Sequence, residues 1–90
     1  MEIKLSSELI VDLKKIKRRD PQLIDRVHKQ LALFKKDPLH QSLRTHKLTG
    51  RFKNNWSISV NKSIRMLYVL LEEDVAYFVD IGTHDQVYRK

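Results

Sequence analysis

The apolar positions follow two rhythms, and the change between them falls near Asp37-Pro38. Upstream, Leu9, Ile10, Leu13 and Ile16 recur so that, at roughly 100° per residue, they share one face of a helix. Lys14, Lys15 and Arg18 fall on the opposite face. Ser6-Ser7-Glu8 offers an N-cap ahead of an acidic first turn, and Lys17-Arg18-Arg19 suits the negative end of the helix dipole. Asp20 can cap a second helix with Pro21 at its first position, where no backbone N–H is needed. Leu23, Ile24, Val27, Leu31 and Phe34 make its apolar stripe, and Asp37-Pro38 stops it. Two amphipathic helices joined this tightly are expected to pack as a hairpin. His28 stands at the margin of the second stripe and is expected to be half-buried.

Downstream the period is two. Trp56-Ser57-Ile58-Ser59-Val60 alternates as a half-buried strand does. Ile64 to Leu71 is apolar on both parities and predicts a central strand; Val75 to Ile81 predicts the last, ended by Gly82. Asn61-Lys62 and Glu72-Glu73-Asp74 are the turns between them. Leu39 to Thr49 is polar and reads as loop or edge, with His40 on its surface. Ile3 to Leu5 is a short first strand whose neighbour the pattern leaves open. The order β-α-α-β-β-β predicts an α+β fold: an antiparallel meander with the two-helix hairpin on one face. With no repeat, low-complexity segment or linker, residues 1–90 are expected to form one domain.

Composition removes several function classes. There is no Cys, which excludes disulfide scaffolds, thiol catalysis and cysteine zinc sites. No two of the four His lie at helical ligand spacing, so neither a metal nor another cofactor is expected. Gly-rich phosphate loops and a Gly-x-Ser-x-Gly elbow are absent from the sequence. No apolar run approaches the roughly 18–20 residues of a membrane helix, and Met1-Glu2-Ile3-Lys4-Leu5 does not open a signal peptide. A cytoplasmic protein is expected. The net charge of +7 then points to a polyanionic partner: RNA, DNA, an anionic membrane surface or an acidic protein, unless it serves solubility alone.

Three places carry candidate chemistry. Arg65 lies inside the apolar run Ile64-Arg65-Met66-Leu67-Tyr68, on the parity of Leu67 and Val69. It either pairs with an acid such as Asp80 or lines an open anion site with its planar fork. The segment Gly82-Thr83-His84-Asp85-Gln86-Val87-Tyr88 sets an imidazole, a carboxylate and a phenol just past a strand end. That set suits acid–base work, or is simply a polar tail. Arg44-Thr45-His46-Lys47 and the following Arg51-Phe52-Lys53 interleave cations with an aromatic ring, as single-stranded nucleic acid binders do. The same stretch is equally readable as a solvated loop anchored by its Phe.

Together, the two helices, the meander, the strand arginine and the closing Ile81-Gly82-Thr83-His84-Asp85-Gln86-Val87-Tyr88 resemble the RelE/ParE toxin superfamily, nearest its YafQ and RelE/StbE groups. The resemblance covers nearly the whole chain and is most specific from His46 to Tyr88. It implies the toxin of a type II toxin–antitoxin system, an mRNA endoribonuclease that enters the ribosomal A site. Such an enzyme uses no metal: the 2′-hydroxyl attacks its own phosphate. Arg65 matches the family's strand arginine and would stabilise charge on the phosphate. His84 matches the tail histidine and would protonate the leaving oxygen. His46, in His46-Lys47-Leu48-Thr49-Gly50, would be the base or a phosphate contact, the two histidine roles being exchangeable. Tyr88 matches the closing aromatic, to stack on a base or donate to the phosphate, while Arg44, Lys47, Arg51, Lys53 and Lys62 would hold RNA backbone.

The sequence departs from the family pattern at Ser59 and Ser63, where some YafQ-type proteins carry a His and an Asp, and at Asp80, where a cation is sometimes found. The resemblance further implies a cognate acidic antitoxin wrapping the basic surface, with Val11 either a contact or an ordinary surface residue. ParE-type members of the superfamily inhibit DNA gyrase without cutting RNA, and a non-catalytic RNA- or ribosome-binding module is a third alternative. A gyrase inhibitor needs no His84 beside Arg65, and this favours the ribonuclease.

Overall fold

A computed structural model describes residues 1–48 and 54–88. Strand β1 (Glu2–Leu5) leads into helix α1 (Ser7–Arg19), helix α2 (Pro21–Lys36), a 3-10 turn at Gln41–Leu43 and a short strand β2 (His46–Lys47). Strands β3 (Asn55–Ser59), β4 (Ile64–Glu72) and β5 (Val75–Thr83) follow, and helix α3 (His84–Tyr88) is the last of the described elements.

The helix boundaries sit where the capping residues put them. The Ser6 hydroxyl accepts from the Leu9 amide at 3.0 Å, and the Asp20 carboxylate accepts from the Leu23 amide at 3.1 Å. Each satisfies one amide that the first helical turn leaves without an internal partner. Asp20 thus closes α1 through its own N–H to the Ile16 carbonyl and opens α2, so the hairpin needs no longer connection.

The five strands make one sheet in the order β1-β5-β4-β3-β2. The β3-β4-β5 meander is antiparallel, as the alternation predicts. The unplaced first strand lies parallel to β5, with Ile3 opposite Ala76 and Leu5 opposite Phe78, so the complete sheet is mixed. Between β4 and β5 the register slips after Leu67: Leu67 faces Asp80, but Tyr68 faces Phe78. Such a bulge bends the strand and increases its local twist.

One face of the sheet receives α1 and α2. Leu9, Ile24, Val27, Phe34, Ile58, Val60, Met66, Tyr68, Ala76 and Phe78 form the buried cluster between them. Phe34 is its centre, edge-on to Tyr68 at 5.0 Å and to Phe78 at 5.2 Å. Burial pushes the Tyr68 phenol up to about 12. Met66 and Tyr68 face this core, so Arg65 and Leu67 face away from it, on the parity expected.

Within the segment read as loop or edge, His46–Lys47 pairs with β3 as an edge strand. One expectation changes. His28 is exposed rather than half-buried. The buried stripe of α2 is Ile24, Val27, Gln30 and Phe34, and its centre lies roughly 100° from His28. Gln30 reaches its buried position by donating to the Ser59 carbonyl at 2.8 Å. His40 caps the 3-10 turn, its Nδ1 accepting from the Ser42 amide at 3.1 Å.

Candidate functional site

The face of the sheet turned away from α1 and α2 carries the polar chemistry. Residues directly opposite one another across paired strands share a face. His46 lies opposite Ser57, which lies opposite Leu67; Ser59 lies opposite Arg65, which lies opposite Gly82. His46, Ser57, Ser59 and Arg65 therefore stand on this one side.

The tail is not an irregular polar segment but the helix α3, packed against β4 and β5. Thr83 and Gln86 hold its start reciprocally. The Gln86 side-chain oxygen accepts from the Thr83 amide at 2.8 Å, and the Thr83 hydroxyl accepts from the Gln86 amide at 3.2 Å. This is a capping box, and its Thr-x-x-Gln spacing was present in the sequence. Gly82 makes it fit: a Cβ there would stand 2.6 Å from the Gln86 oxygen. Val87, 1 % exposed, anchors the helix. One turn apart, His84 and Tyr88 meet edge to face, with ring centres 4.1 Å apart. His84 Nδ1 lies 3.7 Å from the Asp85 carboxylate, with both side chains largely exposed, a distance and setting that give little orientation.

Arg65 is held by neutral groups rather than by an acid. Its Nε donates to the Ser57 hydroxyl at 3.0 Å, and its Nη2 donates to the Arg44 carbonyl at 2.7 Å. Arg44 offers that carbonyl from a left-handed backbone, φ 47°, the one positive φ outside glycine among the described residues. The Ser57 hydroxyl also meets the Tyr88 hydroxyl at 2.5 Å. Among the described residues no carboxylate forms an ion pair with it, so the guanidinium keeps its positive charge available to a ligand.

A groove of about 290 Å³ is lined by Arg44, His46, Arg65, His84 and Tyr88. The four expected catalytic side chains and one expected RNA contact therefore meet in one place. An adjoining hollow of about 440 Å³ shares Arg44, Arg65 and His84 with it and adds Arg26, Ser59, Asn61, Lys62 and Ser63. Arg26 is a cation that sequence reading passed over. Its Nε donates to the Val60 carbonyl at 2.8 Å, which pins the guanidinium beside the hollow. Nothing in the spacing of α2 marks it out, because its role depends on where β3 ends. Lys47 is not brought into the groove: it faces the opposite side of its strand, with Nζ 5.7 Å from the Trp56 ring centre. Arg51 and Lys53 lie outside the described residues. Ser57 was also missed, since its alternation with Trp56 and Ile58 predicts a solvent-facing hydroxyl, whereas it is fully buried. Among the described residues no cluster of His, Asp and Glu could hold a metal ion.

Comparison with solved structures gives the same fold. The YoeB/ParE toxin from Agrobacterium tumefaciens superposes with a TM-score of 0.79 at 15% identity, covering 93% of this chain and 99% of that one. YafQ from Escherichia coli BL21(DE3) superposes with a TM-score of 0.78 at 19% identity, covering 97% of each chain. The E. coli DinJ–YafQ complex gives 0.77 at 19% identity, again covering 97% of each chain. No curated protein matches the sequence. The family model described as the bacterial toxin of type II toxin–antitoxin systems, YafQ, matches residues 1–89. The chain belongs to the YafQ family of toxins of bacterial type II toxin–antitoxin systems.

Proposed function

We propose that this toxin is a metal-independent, ribosome-dependent mRNA endoribonuclease acting in the cytoplasm. The observation that carries the proposal is the convergence of Arg65, His46, His84 and Tyr88 on one open groove. Cleavage of RNA by its own 2′-hydroxyl needs three things: a base for that hydroxyl, positive charge at the five-coordinate phosphorus, and an acid for the departing 5′-oxygen. As the proton leaves O2′, the O2′–P bond forms. The P–O5′ bond then breaks, and O5′ takes up a proton. The products are a 2′,3′-cyclic phosphate and a 5′-hydroxyl, with no water or metal consumed.

In this reading His46 takes the 2′-proton and His84 supplies the one that O5′ needs. Arg65 faces the non-bridging oxygens, and Tyr88 donates to the phosphate or stacks on a base. Arg44, Lys62 and Arg26 hold the flanking backbone by charge along the adjoining hollow. Translation stops because the message is cut in the A site. A cognate antitoxin, acidic where it meets these cations, neutralises the toxin by covering them.

The test is induced expression of wild type and His84→Ala, with primer extension on a reporter message and a gyrase supercoiling assay in parallel. The expected result is cleavage by wild type that falls at least 100-fold, roughly, when the imidazole is removed. Inhibited gyrase with uncut message would transfer the protein to the ParE-type activity. Translation blocked equally by both proteins, without cleavage, would make it a binding module.

A further inference from the structure

We propose that Ser57 is a positioning residue that joins Arg65 and Tyr88 into one unit and turns the phenolic proton of Tyr88 into the groove. The inference rests on the ribonuclease reading and adds to it a residue that touches no substrate. Ser57 lies in β3 and is fully buried, so its hydroxyl has no solvent to satisfy it. A buried polar group must find its partners within the protein.

The proton count fixes the direction of each bond. A guanidinium has only donors, so the 3.0 Å contact is Arg65 Nε–H giving to Ser57 Oγ. The Ser57 hydroxyl still has its own hydrogen to place. Its other partner is the Tyr88 oxygen, 2.5 Å away. If Tyr88 donated instead, Ser57 would accept twice and its own hydrogen would be stranded inside the protein, which is costly for a buried donor. Ser57 therefore donates to Tyr88. The Tyr88 hydrogen must then point elsewhere, and the groove that Tyr88 lines is the side left to it.

The result is a chain of donors all running one way: Arg65 to Ser57, Ser57 to Tyr88, Tyr88 to a phosphate oxygen. Each bond polarises the next, so Tyr88 donates more strongly with the cation behind it. Arg65 is fixed at the same time. Its Nε is tied to Ser57 and one Nη to the Arg44 carbonyl, so its rotation is restrained while its remaining N–H groups stay open to the ligand.

The experiment compares Ser57→Val with Ser57→Thr in the full chain. The two side chains have nearly the same shape and strand preference, and only Thr keeps the hydroxyl. Cleavage of a ribosome-bound reporter message is measured by primer extension, and the Arg65 Nε–H resonance is followed by NMR in the free toxin. Ser57→Val should lower kcat roughly 10- to 100-fold, with KM within about threefold, because a group is misplaced rather than lost. Its Arg65 Nε–H should exchange quickly with water. Ser57→Thr should restore both. Equal cleavage by the two variants, equal loss in both folded variants, or an unchanged Nε–H in Ser57→Val overturns the inference. A wild type that cuts no message removes the ribonuclease reading instead, and the Nε–H comparison still decides whether Ser57 holds Arg65. Should Ser57→Val not fold, Ser57→Ala adds no volume and carries the same comparison with Ser57→Thr.

Discussion

Strands β3 and β4 present two faces built on opposite principles. On the helix side, Ile58, Val60, Met66 and Tyr68 pack with Phe34 and Phe78, and contact with water has been removed. On the other side, one residue out of step, Ser57, Ser59 and Arg65 make directed hydrogen bonds beside an open groove. The first face supplies stability, which grows with buried apolar area; the second supplies geometry, which depends on a few fixed contacts. The small helix α3, with Val87 buried, covers part of the second face. Because the side-chain period of a strand is two, each substitution in β3 or β4 should act on one face and spare the other.

The strongest test of this division is the pair Phe34→Ala and Arg65→Gln. Phe34→Ala empties the centre of the core and should cost about 3–5 kcal/mol in urea unfolding. Arg65→Gln should change unfolding by about 1 kcal/mol, because it breaks contacts to a hydroxyl and a carbonyl, yet it should stop message cleavage. A large stability loss in Arg65→Gln would break the comparison.

A smaller effect sharpens it through pH. The Tyr68 phenol is raised from 10.0 to about 12 by burial, so the unfolded chain loses this proton first. Its contribution should be fully present below pH 10 and disappear as the pH rises through about 12. Unfolding free energy measured against pH should fall over that window in wild type and fall less in Tyr68→Phe.

The smallest effect belongs to the rim of the groove. Lys62→Ala should leave stability within about 0.5 kcal/mol. RNA binding should weaken modestly, and the slope of log affinity against log salt should drop by roughly 0.7, the value for one phosphate contact on a single strand. An unchanged slope would take Lys62 off the RNA path.

Legibility from sequence divides along a related line. Local signals were readable: Ser6, Asp20, Pro21 and Asp37 bound the two helices, and alternation placed the meander and the parity of Arg65. The pairing of β1 with β5 was not readable, because nothing near residue 3 specifies a partner more than seventy positions away. Strand β2 has two residues and no apolar alternation. Helix α3 escaped because five residues give no period, although its capping box was there to be found. Of the residues that line the candidate groove, Arg65, His84, Tyr88 and His46 were singled out through the resemblance. Ser57 and Arg26 were not, since each takes its role from a neighbour that only the folded chain brings close.

Arg44 shows how such an arrangement constrains what else the chain could become. Its left-handed backbone, φ 47°, costs a side chain about 1–2 kcal/mol that glycine would not incur. A search for hardier variants would be drawn to Arg44→Gly, and an unfolding assay would reward it. The backbone could still offer its carbonyl to Arg65, but a cation would be missing from both hollows. If Arg44 holds RNA as proposed, selection for heat resistance and selection for toxicity would pull position 44 in opposite directions, and a screen applying only the first would disarm the protein while improving it.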